Sequence, residues 1–186
     1  MQAWWQMWTG YFNPDWCQGV VSRGLALKPQ EAVVGRDEAG RLDLEYRTSK
    51  IRWLKRPQWD YVANEMESLV KTANNSAFGF DLNFLKEIQF TEYDSTDKGH
   101  YDWHEDVFWK GNTSHHRKLS IVIQLTDPDE YEGGELELEH EPPEQMALRQ
   151  QGTVIVFPSF HPHRVTNITK GIRHSIVGWY EGPKFR

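Results

Sequence analysis

The sequence predicts an all-β core with flanking helices, arranged as an antiparallel sandwich or barrel. Between residues 78 and 180, short apolar or alternating segments are separated by clusters rich in Gly, Pro, Asn and Asp, which is typical of short strands joined by turns. Residues 58–74 instead carry apolar side chains at helical spacing. A chain of 186 residues without repeats or a linker-like stretch fits one domain. We therefore expect a single domain over residues 1–186, with N-terminal support in residues 1–77 and the β core in residues 78–180.

The N-terminal part is predicted to contain two helices and some extended segments. Asn13 is a suitable N-cap and Pro14 a suitable first helical residue, so a short helix is expected to run to about Leu25. The second helix is predicted at residues 58–74, where the apolar stripe indicates core packing. Between them, "EAVVGRDEAGRLDLEY" is interpreted as two short strands around a Gly-containing turn, and "RTSKIRWL" as an extended segment that ends before Pro57.

The β core is predicted to contain seven or eight short strands. In chain order, the predicted strands are "FGFDL", "FLKEIQFTEY", "HYDWHEDVFW", "RKLSIVIQLT", "GELELEH", "GTVIVFPS", "HRVTNI" and "RHSIVGWY". Many short strands after a helical segment indicate an antiparallel sandwich or barrel. Folds of this class host many activities, so the function has to be inferred from particular residues.

Composition and charge exclude several classes of protein. The formal net charge of −6 argues against a general nucleic-acid binder, which usually has a basic surface. Cys17 is the only cysteine, so neither an intrachain disulfide nor a Cys-based zinc site is expected. The aromatic N-terminus does not have the pattern of a signal peptide, and no window has the length of a membrane span. We expect a reduced, cytoplasmic protein without nucleic-acid or membrane partners. We interpret the basic residues from Arg47 to Arg56 as a solvated face, with a site for an acidic partner as the alternative.

The predicted strand "HYDWHEDVFW", residues 100–109, has the pattern of a metal site. Because side chains alternate along a strand, His100, Asp102, His104 and Asp106 should share one face, with Tyr101, Trp103, Glu105 and Val107 on the other. A His and an Asp two positions apart can bind one ion. Either His-x-Asp pair has this spacing, and on its own the pattern is more often explained by a solvated polar face on an edge strand.

A second cluster, "PSFHPHRVTNITKGIRHSIVGW", follows a buried-strand pattern and offers more ligands. His161 or His163 could complete a set of two His and one carboxylate. Such a set leaves adjacent positions open, which suits non-haem Fe(II), and zinc with a bound water is a second option. Arg173 favours iron, because a planar guanidinium can hold the far carboxylate of 2-oxoglutarate with two parallel hydrogen bonds. Ser175 would face the same way and could add a hydroxyl donor.

Taken in order, His104, Asp106, His163 and Arg173 resemble the pattern of the iron(II)/2-oxoglutarate-dependent oxygenases, particularly the prolyl-4-hydroxylase-like branch. In that branch the second histidine and the basic residue lie nine or ten positions apart, which selects His163 over His161. "RKLSIVIQL", "YEGGELEL" and "GTVIVFPSFHPHRVTNITKGIRHSIVGW" resemble the core strands of the family. The resemblance covers residues 78–180. It implies a double-stranded β-helix, or jelly roll, with the N-terminal helices packed on the outer sheet.

The resemblance also implies roles for individual residues. The iron ligands would be His104, Asp106 and His163, and Arg173 would pair with the distal carboxylate of 2-oxoglutarate. Contacts to the cosubstrate are implied for Gln124, Ser175, Tyr93 and Tyr101. Many relatives carry a tyrosine at the position of Gln124, so the sequence departs from the family there. Ring packing with a satisfied hydroxyl is an equal alternative for the two tyrosines.

The function implied is a dioxygenase that uses Fe(II), O₂ and 2-oxoglutarate, with ascorbate as a candidate reductant. It would hydroxylate a C–H bond, with a peptidyl proline as the leading substrate, and release succinate and CO₂. The partner would then be a protein or peptide that contains proline. One alternative is hydroxylation of a free amino acid or small metabolite. Another is a non-catalytic jelly-roll module whose histidines bind zinc or nothing.

Overall fold

The structure, a computed structural model, describes residues 3–32, 42–110 and 114–186. The helices within these ranges are α1 (Pro14–Leu25), α2 (Asp60–Ala73) and α3 (Gln145–Arg149). The strands are β1 (Gln6–Trp8), β2 (Gln30–Glu31), β3 (Arg47–Thr48), β4 (Lys50–Trp53), β5 (Phe84–Asp94), β6 (His100–His104), β7 (His115–Gln124), β8 (Glu132–Gly133), β9 (Leu136–Leu138), β10 (Val154–Pro158), β11 (His163–Val165), β12 (Ile168–Lys170) and β13 (Ile172–Pro183). None of these helices combines the length and the apolar character needed to span a bilayer.

Most strands belong to two antiparallel sheets. The seven-stranded major sheet has the order β1-β10-β7-β13-β5-β4-β2, and the four-stranded minor sheet has the order β3-β6-β11-β9. Strands β12 and β8 form a separate pair. The two sheets pair strands that are distant in sequence, such as β10 with β7 and β11 with β6. The predicted fold class, an all-β core with flanking helices, is confirmed.

The major sheet has one face toward the helices and one toward the minor sheet. Along β7, Leu119, Ile121 and Ile123 pack in the helix-side core, whereas Val122 belongs to the core between the sheets. This alternation follows from the two-residue period of a strand. The helix-side core contains buried residues of both N-terminal helices and of the major sheet: Cys17, Val20, Val62, Met66, Val70, Phe90, Ile121, Ile123 and Ile176. The helices therefore pack on the outer sheet, as predicted.

The two N-terminal helices lie where the sequence places them. The side chain of Asn13 accepts a hydrogen bond from the Trp16 backbone N at 2.9 Å, and Pro14 is the first helical residue. This cap satisfies a backbone N–H that has no partner within the helix. Helix α2 continues into a single π-helical turn at Asn74–Phe78.

Two predicted strand segments are wrong. "FGFDL" is not a strand, because the π-helical turn is followed by a loop in which Asn74 bonds both the N and the O of Phe80. In the segment 31–46, residues 33–41 lie outside the described residues, and Leu44–Tyr46 forms a turn rather than a strand. There the backbone and side chain of Asp43 accept hydrogen bonds from the Tyr46 N, which favours a turn.

Met66 holds α2 against the major sheet, so its truncation is expected to be costly. The side chain is fully buried, and a Cβ added at Gly178 of β13 would lie 2.5 Å from its Cε. We expect Met66→Ala to lower the free energy of unfolding by about 2–5 kcal/mol, because it removes buried apolar surface and leaves a cavity. Urea unfolding followed by circular dichroism measures this change.

The control is Ser68→Ala on the exposed side of the same helix, for which a change within about 0.5 kcal/mol in the free energy of unfolding is expected. Equal effects of the two substitutions would contradict this packing.

Candidate active site

A cleft of about 910 Å³ lies between the major and minor sheets. Seven of the eight residues that the sequence assigns to the site line this cleft: Tyr93, Tyr101, His104, Asp106, His163, Arg173 and Ser175. Gln124 does not line it, because its side chain lies behind the guanidinium of Arg173. The fold thus brings together residues that are up to 82 positions apart in sequence, counted from Tyr93 to Ser175.

His104, Asp106 and His163 form a cluster whose ligand atoms all lie within 4.8 Å of one another. The Asp106 carboxylate lies between the two imidazoles, 3.9 Å from Nε2 of His104 and 3.6 Å from Nε2 of His163. The two histidines are direct cross-strand neighbours on β6 and β11, and their ring centroids are 4.1 Å apart. One ion could therefore contact all three side chains.

Hydrogen bonds at the far nitrogens orient both imidazoles. Nδ1 of His104 lies 2.8 Å from the Asp102 carbonyl oxygen, and Nδ1 of His163 lies 2.9 Å from the His161 carbonyl oxygen. A carbonyl oxygen only accepts, so each Nδ1 carries the proton and each Nε2 presents a lone pair to the cleft. This is the usual arrangement for histidines that bind a metal.

The protonation states fit the same role. Burial, together with the neighbouring His163, lowers the pKa of His104 to about 3. Burial on its own would raise the pKa of Asp106, but His163, His104 and Arg117, together with the Ser120 hydrogen bond, lower it to about 2. At pH 7 the cluster therefore offers a carboxylate and a neutral imidazole at His104, the form in which an imidazole can bind a metal.

Asp106 lies in a loop and not on the strand that the sequence predicted for residues 100–109. Strand β6 ends at His104, and the Asp106 backbone N donates to the Ser159 carbonyl oxygen at 2.8 Å. The side chain is held as well, because the Ser120 hydroxyl donates to Oδ2 at 2.6 Å. Asp106 thus reaches the cluster through anchors to the neighbouring strand region rather than through strand alternation.

A β-bulge brings Tyr101 to the same side as His104. His163 pairs with His104 and Val165 with Tyr101, so three steps along β6 oppose two along β11. The Tyr101 and His104 rings stack with centroids 3.5 Å apart. The prediction that these two side chains face opposite ways is therefore wrong. Burial raises the pKa of the Tyr101 phenol, which keeps the hydroxyl protonated.

Arg173 lies in another part of the cleft wall, and one of its guanidinium nitrogens has no hydrogen-bond acceptor among the described residues. The residue is only 2% exposed, and its Nη2 donates to Oε1 of Gln124 at 2.8 Å. Its Nη1 is buried and has no hydrogen-bond partner among the described residues. A buried guanidinium nitrogen without an acceptor is unfavourable, so this position suits the carboxylate of a ligand.

Three of the four other residues assigned to the cosubstrate, Tyr93, Ser175 and Gln124, are neighbours of Arg173. Tyr93 pairs with Arg173 across β5 and β13, and the guanidinium carbon lies 5.5 Å from its ring centroid. Ser175 lies two positions further along β13, pairs with Gln124 and is 1% exposed. Gln124 orients the guanidinium. Its amide oxygen accepts from Arg173, and the contact of this amide with the cosubstrate stays a prediction.

The sequence pattern of the 2OG-Fe(II) oxygenase superfamily matches residues 88–181, half of the chain. The chain belongs to this superfamily. The matched segment contains the whole His104, Asp106, His163 and Arg173 set.

Relatives and solved structures agree with membership in the oxygenase superfamily. A PKHD-type hydroxylase of Rippkaea orientalis is 35% identical over 120 residues, which are 62% of this chain and 53% of that protein. The matched part of the chain covers between about a third and a half of the length of the first curated relatives. A Pseudomonas putida prolyl-4-hydroxylase is similar with a TM-score of 0.73 and 21% identity, covering 97% of this chain and 94% of that chain.

A second solved structure is a Trichoplax adhaerens prolyl hydroxylase in complex with a hypoxia inducible factor peptide fragment. Its TM-score is 0.74 at 15% identity, covering 95% of this chain and 83% of that chain. At such identities the likeness establishes the fold. This oxygenase chain therefore has the jelly-roll fold of the prolyl-4-hydroxylases, as the sequence predicted.

His161 and His163 can be told apart by their contacts. His161 is fully buried, and its Nε2 accepts from the His140 backbone N at 3.1 Å, while its Nδ1 lies 3.4 Å from the Trp4 carbonyl oxygen. Both of its ring nitrogens are therefore used by the backbone. In the second candidate pair, His100 bonds the carbonyl oxygens of Lys98 and Glu45 and takes no part in the cluster.

We expect His161→Ala to destabilise the oxygenase without removing its metal site, because the variant loses packing and two backbone hydrogen bonds. The loss in the free energy of unfolding should be about 2–4 kcal/mol. Thermal unfolding and Fe(II) binding, measured by equilibrium dialysis, give the two readouts. His163→Ala is the matched comparison and should lose Fe(II) binding instead. Loss of Fe(II) binding in a folded His161→Ala variant would contradict the assignment.

Two residues that contribute to the site, Ser120 and Arg47, are not predicted from the sequence to do so. The Ser120 hydroxyl donates to the Asp106 carboxylate and lies 2.9 Å from the Ser159 hydroxyl, whereas the sequence predicts Ser120 only as part of a core strand. Its signal was a lone hydroxyl inside the apolar run "LSIVI". Arg47 was interpreted as part of a solvated basic face, yet it is 8% exposed and lines the cleft. Arg52 of the same segment is also buried, so that interpretation is wrong for both.

Proposed function

We propose that this chain is an Fe(II)- and 2-oxoglutarate-dependent dioxygenase, with Fe(II) held by His104, Asp106 and His163. The observation that carries the proposal is that the cleft combines this donor set with the buried, unpartnered Nη1 of Arg173. A hydrolytic zinc site would use the same three ligands, but it has no need of a buried arginine in the same cleft. Two histidines and one carboxylate leave adjacent positions for a bidentate cosubstrate and O₂.

The residues that surround the proposed metal site have defined tasks in this proposal. The Nδ1 hydrogen bonds keep the two imidazoles in the metal-binding tautomer, and Ser120 fixes the carboxylate of Asp106. When bound, Fe(II) with 2-oxoglutarate and O₂ supplies the oxidation of a substrate C–H bond, and the cosubstrate ends as succinate and CO₂. The protein supplies orientation and a site largely shielded from water.

Arg173 would bind the distal carboxylate of 2-oxoglutarate. Its Nη2 is fixed by Gln124, so the guanidinium is already oriented before the ligand arrives. Nη1 is then free to donate a charge-assisted hydrogen bond to a carboxylate. The hydroxyl of Ser175, on the same strand and facing the cleft, is placed to add a second donor, and Tyr93 covers the other side of the guanidinium.

The substrate we propose is a peptidyl proline. The relatives and structures described above are named as PKHD-type and prolyl hydroxylases, and one of those structures holds a peptide. The cleft wall carries several large aromatic side chains: Trp53, Trp103, Phe108, Trp109 and Trp179. Trp103 and Trp109 are 38% and 46% exposed. Flat apolar surfaces at a cleft mouth suit a proline ring in an extended peptide.

The proposal is tested in two steps. The first measures release of succinate from 2-oxoglutarate with Fe(II) and ascorbate, and the absorption change on adding 2-oxoglutarate anaerobically to the Fe(II) form. The second incubates a proline-containing peptide library with the protein and seeks addition of one oxygen by mass spectrometry. Succinate release together with oxygen addition at proline is the expected result.

Other outcomes separate the alternatives. No succinate and no absorption change would contradict the oxygenase activity and favour a binding module. Succinate release with oxidation of free amino acids, but of no peptide, would keep the activity and overturn the peptidyl substrate.

A further inference from the structure

Three arginines in the described part of the chain are buried, and only one of them has a carboxylate partner. Arg173, Arg52 and Arg47 are 2%, 6% and 8% exposed. Arg52 forms an ion pair with Glu92 at 3.0 Å on the helix side of the major sheet. Arg173 and Arg47 both line the cleft, and no carboxylate of the described residues forms an ion pair with either of them. Within the described residues, the two buried guanidinium groups without a carboxylate partner therefore both lie in the cleft.

The guanidinium of Arg47 is held rigidly by neutral groups. Nε donates to the Ser49 hydroxyl and Nη2 to Oε1 of Gln89, each at 2.9 Å. The guanidinium carbon lies 4.4 Å from the ring centroid of Tyr101, and that ring stacks on His104. Neutral acceptors fix the orientation of the guanidinium without cancelling its charge. An ordered, buried and unpaired cation next to a metal ligand is costly unless an anion binds there.

The carboxylates of the cleft wall are engaged elsewhere. Besides Asp106, the cleft is lined by Asp43 and Glu105. The Asp43 side chain accepts from the Tyr46 backbone N at 3.3 Å, and Glu105 accepts from the Trp109 indole at 2.6 Å. Arg117, the third arginine of the wall, already pairs with Glu87 at 3.2 Å. Arg47 is therefore the cleft cation that remains after Arg173 is assigned to 2-oxoglutarate.

The backbones of Arg47 and Arg173 belong to different sheets, and their guanidinium groups are fixed by different residues: Ser49 and Gln89 for Arg47, and Gln124 for Arg173. Arg173 is on β13 of the major sheet, whereas Arg47 is on β3, the edge strand of the minor sheet. The Arg47 guanidinium packs on the Tyr101 ring, which in turn stacks on His104 of the candidate metal cluster. The Arg173 guanidinium instead donates a hydrogen bond to Gln124 and lies against the Tyr93 ring. The two cations thus define two anion positions.

We propose that Arg47 binds a carboxylate of the prime substrate, so that the cleft selects acidic substrates. This rests on the proposed function for the identity of the reaction, and it adds a substrate class: proline compounds with a carboxylate close to the ring. The carboxylate can come from an Asp or Glu next to the proline or from a free C-terminus. The fork of a guanidinium fits either source with paired hydrogen bonds.

The test measures binding without turnover, using pairs of probes that differ only in charge. The Mn(II)- and 2-oxoglutarate-loaded protein is titrated in a calorimeter with acetyl-Pro-Asp-amide against acetyl-Pro-Asn-amide, and with acetylproline against acetylprolinamide. We expect the acid to bind at least about tenfold tighter than the amide in one of the pairs. The pair that shows the difference identifies the source of the carboxylate. The absence of a difference in both pairs, whether from equal binding or from no binding, overturns the proposal.

Variants then assign the preference to Arg47. Arg47→Gln should reduce the preference for the acid to less than about twofold, and Arg47→Lys, which keeps the charge but loses the fork, should retain part of it. The control is Arg164→Gln, since Arg164 stacks on Trp103 at the cleft mouth and pairs with Glu137. It removes the same charge near the cleft and should keep the full preference. Equal loss in the Arg164 and Arg47 variants would indicate general electrostatics and overturn the specific contact.

The failure of this inference differs from the failure of the proposed function. If the acid preference depends on Arg47 but no probe or peptide gains oxygen under aerobic conditions with Fe(II), the anion site stands and the hydroxylase activity is contradicted. If peptides are hydroxylated without any preference for acidic neighbours, the activity stands and the role of Arg47 is contradicted.

Discussion

Replacing His104 or Asp106 with alanine is expected to reduce 2-oxoglutarate turnover by about a thousandfold or more while the fold remains intact. Removal of residues that only orient a metal ligand typically costs 10–100-fold, so loss of a ligand itself should cost more. The fold should survive because the three side chains lie in the cleft between the sheets rather than in the helix-side core. Succinate release in metal-depleted buffer with Fe(II) added back is the measurement, with circular dichroism and thermal unfolding as checks of the fold.

The same stretch provides matched controls for the ligand assignment. His100→Ala and Asp102→Ala remove the alternative His-x-Asp pair, whose side chains do not belong to the cluster. Asp102 holds His104 through its backbone carbonyl, which a side-chain substitution leaves in place. Both variants should keep most of the activity. Full activity of His104→Ala, or loss of activity in His100→Ala alone, would contradict the assignment of the metal ligands.

The elements that the sequence predicted well are those that local chemistry determines. The Asn13–Pro14 start of α1 depends on one cap and one fixed φ angle, and the strands around β7 and β10 follow from continuous apolar runs that must be buried on both faces. The order and spacing of the candidate ligands were also visible in the sequence. For these elements, neighbours within a few residues carry most of the information.

The elements that the sequence predicted wrongly depend on distant contacts. Strict alternation placed Tyr101 away from His104, but a bulge against β11 turned it back. Asp106 was placed on a strand, whereas its position is set by Ser159 and Ser120, 53 and 14 positions away in sequence. No local pattern encodes such partners. The spacing argument therefore selected three residues that the fold does bring together, but for a partly incorrect geometric reason.

The burial of the Arg47 charge is another property that the sequence did not predict. Arg47 lies within a basic run and looks solvated by composition. In the fold, Ser49 and Gln89 accept hydrogen bonds from Nε and Nη2 of Arg47, and its guanidinium lies over the Tyr101 ring, so the cation becomes part of the cleft wall. Gln124 shows the same limit, because the register between β7 and β13 directs its amide to Arg173.

Arg173→Ala is expected to raise the KM for 2-oxoglutarate by about 100-fold, with a smaller effect on kcat. A hydrogen bond between charged groups contributes about 1.5–3 kcal/mol, and 1.4 kcal/mol is a factor of ten in affinity, so the loss of a charge-assisted contact accounts for this magnitude. Gln124→Leu should give an intermediate increase, because the guanidinium stays but loses the acceptor that fixes Nη2. Steady-state kinetics at saturating O₂ measure both variants.

A second 2-oxo acid decides whether the contact is to the distal carboxylate. 2-Oxopentanoate has the same chain length as 2-oxoglutarate but carries no distal carboxylate, so the wild-type protein should use it with a KM about 100-fold higher. Arg173→Ala should then show similar KM values for the two acids, because the group that distinguishes them is gone. If Arg173→Ala weakened both acids equally and the preference for 2-oxoglutarate remained, Arg173 would act by supporting the cleft wall. Loss of the preference is the result that only a direct contact between the guanidinium and the distal carboxylate explains, since the two acids are identical at the end that binds the metal.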